Sequence, residues 1–392
     1  MDGQVYGEPL VWGSEVIVAT ENDSVYALSS HSGAVVWRRH LAAPVPSSMM
    51  PCGNISPSIG ITGTPVIDPV RQEVFALAFE MKSGRAVHYL YGVNLVRGDL
   101  MLREPVPTPT SPQTPYLNRS GLALDNGSVV FTFGGNYGDC ATYHGEVGAF
   151  EESAPSRAVT FEVDGGPGEN QGSVWMGGAA PAVDASGHVW VETGNGSVTT
   201  PGHAYDDSEG VVELSSAMRL VSFFAPADWR QDNANDADLS AEPALLDDGF
   251  IVATGKTGDV YLLRADHLGH VGGQVETVPS NCGDDLDGGV AVVGDVVYLP
   301  CRNGTEAVRV STSPASVKVL WHASQGVGPP IVAAHLVWSI GNGTLYGLNP
   351  ATGALERQVS LGAEANDFAT PSAGAGLLLA PLADQVVAFA AR

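Results

Sequence analysis

Apolar residues gather in short runs along this chain, separated by glycine, asparagine and aspartate. The clearest unit reads Pro9-Leu10-Val11-Trp12-Gly13, Glu15-Val16-Ile17-Val18-Ala19-Thr20, Ser24-Val25-Tyr26-Ala27-Leu28, then Ser32-Gly33-Ala34-Val35-Val36-Trp37. Runs of this length, rich in valine, leucine and tyrosine, predict strands joined by tight turns. Helical spacing at i, i+3 and i+4 is rare, and glycine interrupts nearly every window where it begins.

The unit recurs. A near-twin runs Pro330-Ile331-Val332, Leu336-Val337-Trp338-Ser339, Thr344-Leu345-Tyr346-Gly347-Leu348, Thr352-Gly353-Ala354-Leu355. Other copies open at Pro65, Gly121, Pro181, Pro243, Val290 and Pro371. Openings about 50 residues apart, each with four short strands, predict an all-β chain folded as one closed β-propeller over residues 1–392. Eight four-stranded blades are expected, with seven as the alternative. The last copy has room for three strands only. Residues before Pro9 are expected to supply or brace the missing outer strand, since an open ring exposes a sheet edge.

A propeller permits a positional argument. The residues just before the innermost strands ring the axial mouth on one face. In order they are Glu8, Thr64, Arg119 with Ser120, Ala180, Glu242, Asp287, Pro329 and Thr370, with Asp285 and Asp367 beside them. Clustered carboxylates raise each other's pKa, so one can keep a proton near neutrality while another acts as base. Glu8, Glu242, Asp287 and Asp367 are therefore the acid–base candidates. Arg119 is expected to orient an anionic or carbonyl oxygen, Trp175 to form an apolar wall, and Thr64 and Thr370 to complete the substrate ring. His144, which titrates near neutrality, is a further catalytic candidate, with Tyr143 beside it as a substrate contact. The same oxygens suit Ca²⁺, but no spacing marks a metal site and none is assigned. No GxSxG elbow is present.

Charge narrows the partners. The chain holds 18 Lys and Arg against 43 Asp and Glu, a formal charge of −25. That disfavours nucleic acid, which needs a basic stripe. No apolar stretch is long enough for a spanning helix. A small-molecule substrate and a monomer are expected. The start, Met1-Asp2-Gly3-Gln4-Val5-Tyr6, lacks the basic and apolar regions of a signal peptide, and a strand follows almost at once. A trimmed start and a secreted or periplasmic-like protein are expected, with the cytoplasm as the alternative.

The cysteines sharpen that expectation. Cys52, Cys140, Cys282 and Cys301 form no CxxC or CxxCH motif. Cys52 falls in the loop leading into the second blade, and Cys140 in the second-to-third-strand loop of the third, on the same face. Cys282 precedes the sixth innermost strand and Cys301 ends the next strand. Disulfides 52–140 and 282–301 are expected, and with them an oxidising compartment.

Several longer stretches carry a family likeness. They include Cys52-Gly53-Asn54-Ile55, Gly63-Thr64-Pro65-Val66-Ile67-Asp68, Arg119-Ser120-Gly121-Leu122-Ala123-Leu124, Gly134-Gly135-Asn136-Tyr137-Gly138-Asp139-Cys140 and Phe224-Ala225-Pro226-Ala227-Asp228-Trp229. In this order the chain resembles the PQQ-repeat (quinoprotein alcohol dehydrogenase-like) β-propeller family, in its polyvinyl-alcohol-dehydrogenase-like branch. The resemblance implies PQQ and Ca²⁺ as cofactors, with Trp175 beneath a quinone and Lys256 at its carbonyls. The chain departs from the pattern. It has no adjacent cysteine pair, and its mouth reads Gly7-Glu8-Pro9, Ser240-Ala241-Glu242-Pro243 and Asn366-Asp367-Phe368. An enzyme without a cofactor is therefore expected, using carboxylate acid–base chemistry for cyclisation, elimination or isomerisation. A PQQ- and Ca²⁺-dependent alcohol dehydrogenase is the first alternative and a non-catalytic scaffold the second.

Overall fold

The computed structural model describes residues 1–152, 158–283 and 286–390. Antiparallel sheets follow one another along the chain as the blades of an eight-bladed propeller. The first blade consists of Leu10–Trp12, Glu15–Thr20, Ser24–Ser29 and Val35–His40, paired in chain order. The eighth consists of Ser372–Gly374, Leu377–Leu382 and Gln385–Ala390. Eight blades stand, and the seven-blade alternative falls.

Burial explains the strand composition. Second and third strands are covered on both faces by neighbouring blades, so they read as continuous apolar runs such as Glu15–Thr20 and Phe250–Thr254. Outer strands such as Val35–His40 and Leu355–Ser360 are largely exposed. The core is divided among the gaps between blades. Ile17, Val25 and Ala27 of the first blade pack on Val74, Ala76 and Tyr91 of the second. Val16 and Val18 reach Leu379 of the eighth across the seam.

Two outer-strand tryptophans fasten blade to blade in the same way. Trp37 donates from Nε1 to Leu95 O at 2.8 Å, and its ring lies over Gly98. Trp321 donates to Pro350 O at 3.0 Å and lies over Gly353. Both glycines have φ near +70°, and a Cβ there would stand within 2.7 Å of the indole. Glycine is thus needed twice over, for the turn and for the ring's approach.

The seam is braced by the segment before Pro9 rather than by an added strand. Val5 N–H donates to Ala383 O at 2.7 Å, in the turn between the last two strands. Val5 O accepts from Asn366 Nδ2 at 2.8 Å, and Pro9 O from Ser372 Oγ at 2.5 Å. These contacts engage the end of the eighth blade and its innermost strand. Among the described residues, Gln385–Ala390 therefore pairs on one side only.

Both expected disulfides are present, with Cα separations of 5.8 Å for Cys52–Cys140 and 4.7 Å for Cys282–Cys301. Among the described residues no helix is long and apolar enough to cross a membrane. The 52–140 bridge spans 88 residues and the 282–301 bridge 19. In the chain-entropy picture their loss costs about 4.6 and about 3.2 kcal/mol. Replacing both members of the 52–140 pair with serine should lower stability more than the same change at 282–301. Guanidinium unfolding of the two double variants checks the order.

Candidate functional site

A cavity of about 1210 Å³ opens over the ring axis on one face. Its floor is the loop leading into the fourth blade. Thr64 Oγ1 of the second blade donates to Gly178 O at 3.5 Å. On the other side, a Cβ on Gly177 would stand 2.5 Å from Gly288 N, before the sixth blade. A segment that touches the second and sixth blades at once must cross the axis. Met176 and Gly177 take φ of 51° and 50° to make the crossing.

Arg119, Trp175, Lys256, Asp287 and Asp367 all line this cavity. Arg119 is only 6% exposed. Its guanidinium lies 5.7 Å from the Tyr6 ring centre and 5.4 Å from that of Phe368. Nη2 donates to Asp367 O at 2.7 Å, while buried Nη1 has no hydrogen-bond partner. Burial pushes the Arg119 pKa down, and the charges of Glu21, Tyr6, Asp367 and Asp287 oppose that shift. Asp367 Oδ2 accepts from Asn54 Nδ2 at 3.1 Å.

Trp175 donates from Nε1 to Gly135 O at 2.9 Å and packs against Gly134, where a Cβ would be 2.5 Å from the indole. Lys256 Nζ stands 5.5 Å from the ring centre. That ammonium is paired with Asp238, and with Asp236 at 3.3 Å. Burial disfavours its charge, but the two aspartates prevail and hold its pKa above the usual lysine range.

Glu8 and Glu242 do not line the cavity. Glu8 N–H donates to Thr64 Oγ1 at 2.9 Å, and Glu242 Oε2 accepts from Val290 N–H at 3.3 Å. Both stand beside the axial crossing: Thr64, which accepts from Glu8, reaches Gly178 O, and a Cβ on Gly289 would lie 3.4 Å from Ala179 Cβ and 3.5 Å from Glu242 Oε2. Burial drives Glu8 up to about 8, with the Glu242 charge adding to it. Burial drives Glu242 up to about 7 against the Val290 hydrogen bond. The four expected carboxylates thus divide into two pairs, because the 176–178 crossing occupies the axis. Thr64 and Thr370 are likewise off the cavity, the latter donating to Phe368 O at 3.3 Å.

Tyr143 and His144 stand behind the wall. Tyr143 is fully buried and donates to Asp139 Oδ1 at 2.5 Å, which holds Asp139 at the cavity. Burial, then the Asp139 charge, pushes the Tyr143 phenol far up. His144 Nδ1 lies 3.0 Å from Asp164 Oδ1. Asp285 lies outside the described residues. Sequence reasoning missed Tyr6, Phe368, Asn54 and Asp139. Tyr6 and Phe368 sit within two residues of ring positions, so widening the ring would have found them.

Known proteins share this architecture. Residues 1–167 match the PQQ_2 family model, described as outer membrane protein assembly factor BamB. BamB from Moraxella catarrhalis superposes with a TM-score of 0.61 at 13% identity, covering 99% of this chain and 93% of that one. The quinohemoprotein alcohol dehydrogenase ADHIIG from Pseudomonas putida HK5 gives 0.67 at 12%, covering 97% and 70%. A europium-containing methanol dehydrogenase gives 0.66 at 14%, covering 96% and 82%. No curated protein sequence matches the chain. The resemblance to PQQ-repeat propellers holds, and at these identities the solved structures speak for the fold alone.

The cavity residues do not fit a metal-bound quinone. Lys256, 5.5 Å from the Trp175 ring centre, is already engaged by Asp236 and Asp238 rather than open to a quinone carbonyl. Five carboxylates (Asp139, Asp236, Asp287, Glu364, Asp367) line the cavity against three cations (Arg119, Lys256, Arg302), a poor setting for a polyanion. Among the described residues, the close groups of three metal-ligating side chains are Asp184/His188/Glu213 and Cys282/Cys301/His322, neither of them at the cavity.

The axial pair predicts a pH dependence. A carboxyl with a raised folded pKa holds a proton that the unfolded chain has released, so its stabilisation is complete below the ordinary value of 4.5 and lost as pH rises through the folded value. For Glu242 the window runs from 4.5 to about 7. Glu242→Gln should flatten the fall in stability between pH 5 and pH 8 by on the order of 2 kcal/mol. Chemical denaturation of both proteins at the two pH values checks it.

Proposed function

We propose that this propeller acts on a small organic anion bound in the cavity above the ring axis, by acid–base chemistry that needs no cofactor. One observation carries the reading. Arg119 lines the cavity and is buried beside two aromatic rings, with its Nη1 unpaired and facing Gly178. A buried guanidinium nitrogen without a partner is costly unless a ligand supplies the acceptor. A carboxylate or enolisable carbonyl oxygen suits it, since charge-assisted bonds to Arg are strong and directional.

The chemistry follows from what lies beside it. Asp287 or Asp367 takes a proton from the carbon alpha to the held carbonyl or carboxylate group. The electron pair moves onto the held oxygen, where Arg119 opposes the growing negative charge. The proton then returns at another carbon, which is isomerisation, or the pair expels a leaving group, which is elimination. The Tyr6 phenol is pushed up to about 12 by burial and the Glu21 charge, so it stays protonated and can donate to the departing group. Glu8 and Glu242 have no contact with such a substrate. We place the protein outside the cytoplasm, supported by its two disulfides.

A second reading, an assembly scaffold, is favoured by the family match over residues 1–167 and by the one-sided strand Gln385–Ala390. Calorimetric titration with a panel of carboxylates separates the two. The wild type should bind at least one, and Arg119→Gln, with a retained melting transition, should weaken that binding about tenfold or more. Equal binding by the variant, or no binding by the wild type, would overturn the anion site. A second titration addresses the cofactor. PQQ added with Ca²⁺ should show no stoichiometric binding, and tight one-to-one uptake would instead make the protein a quinoprotein.

A further inference from the structure

The first hairpin turn, 21–23, packs against residues 58–62 of the loop leading into the second blade. Asp23 is fully buried, and neither of its carboxylate oxygens has a hydrogen-bond partner. Glu21 is 2% exposed. Its Oε2 accepts from Gly60 N–H at 2.7 Å, but its Oε1 has no partner. The buried Thr62 hydroxyl stands beside the Glu21 carboxylate. Both Asp23 oxygens, and Glu21 Oε1 with only that hydroxyl beside it, are therefore enclosed in one cleft.

Charge makes the cleft harder to explain by protein groups alone. The charged groups that face Asp23 are Glu21 and Glu80, both of its own sign. Glu80 is already served by Arg103 and the Tyr91 hydroxyl. Arg119 approaches Glu21 from the cavity side, and among the described residues no lysine or arginine pairs with Asp23. An isolated buried carboxylate costs several kcal/mol unless something neutralises it.

Gly60 supplies an independent observation. A Cβ there would stand 2.7 Å from both Asp23 Oδ1 and the Glu21 carbonyl oxygen. The bare glycine leaves these two oxygens facing a common space that any other residue would fill. The donors around it are two carboxylates, a hydroxyl and a carbonyl. A hard, oxygen-seeking divalent cation matches that set, and sulfur- or nitrogen-seeking metals do not.

We infer that the cleft between the first and second blades binds a calcium-class cation through Asp23 and Glu21. The ion ties the first hairpin to the 58–62 loop and holds Glu21 in place behind Arg119. This inference is independent of what the cavity binds.

The test uses the full chain stripped with EDTA. Ca²⁺ should rebind at this site, and the melting temperature should rise by several degrees, as for any ligand that binds only the folded state. Asp23→Asn should lose one equivalent of bound Ca²⁺ and the thermal shift. Asp184→Asn, in the surface group Asp184/His188/Glu213, should keep both. Should Asp23→Asn fail to fold, Glu21→Gln takes its place and should weaken Ca²⁺ binding at least tenfold. A wild type that binds no Ca²⁺, or an Asp23→Asn protein with unchanged stoichiometry and shift, would overturn the inference.

Discussion

Twisted sheets close into a ring only if each buries both faces on its neighbours, and everything at the axis depends on that closure. Within the ring, apolar strands such as Phe250–Thr254 satisfy the demand blade by blade. At the seam no strand crosses among the described residues, and bonds from Val5 and Pro9 to Ala383, Asn366 and Ser372 add to the packing of Val16 and Val18 on Leu379. The same N-terminal segment carries Tyr6 into the cavity and Glu8 to the axial crossing. Closing the ring and building the site are therefore one event. A loosened seam would move Tyr6, and with it one of the two rings that enclose Arg119.

The axial crossing at 176–178 is the second constraint. Inner strands converge so closely that a single loop fills the centre, and only positive-φ residues and bare glycine turn tightly enough there. The crossing parts two electrostatic environments. Beside it, burial desolvates Glu8 and Glu242, with the Glu242 charge adding to the shift of Glu8, so protons stay on them to pH values where carboxylates are normally charged. Above it, Asp287 and Asp367 share a wide cavity with Arg119 and Lys256. Raised carboxyl pKa values and a substrate-sized space, often found together, coincide at Asp139, which burial raises at the cavity wall, whereas Glu8 and Glu242 are raised away from the cavity.

Arg119 shows how an unmet bond survives in a packed protein. Its charge is balanced at a distance by Glu21, Asp367 and Asp287, and its plane is covered by aromatic rings. Those forces hold the guanidinium in place without occupying Nη1. The cost of leaving that group unpaired is borne by the packing of the ring. Lys256 is the contrast: two aspartates satisfy it, so it serves as a structural cation over Trp175 rather than as an open donor.

The strands, the blade number and both disulfides were legible in the linear chain. Each follows from local rules: period and turn chemistry mark strands, and repeat position tells which loops share a face. The same logic placed Arg119, Asp287 and Asp367 at the mouth, because the start of an innermost strand is a local landmark. It failed for Glu8 and Glu242, which hold the same landmark but lie off the cavity. Whether a carboxylate lines the cavity is decided by the loop that crosses the axis, and that loop belongs to a different blade. The partners of Arg119, the cation over Trp175 and the unpaired oxygens of Asp23 are of the same kind. They arise from contacts between residues tens to hundreds of positions apart, whose burial and charge exist only once the ring has closed.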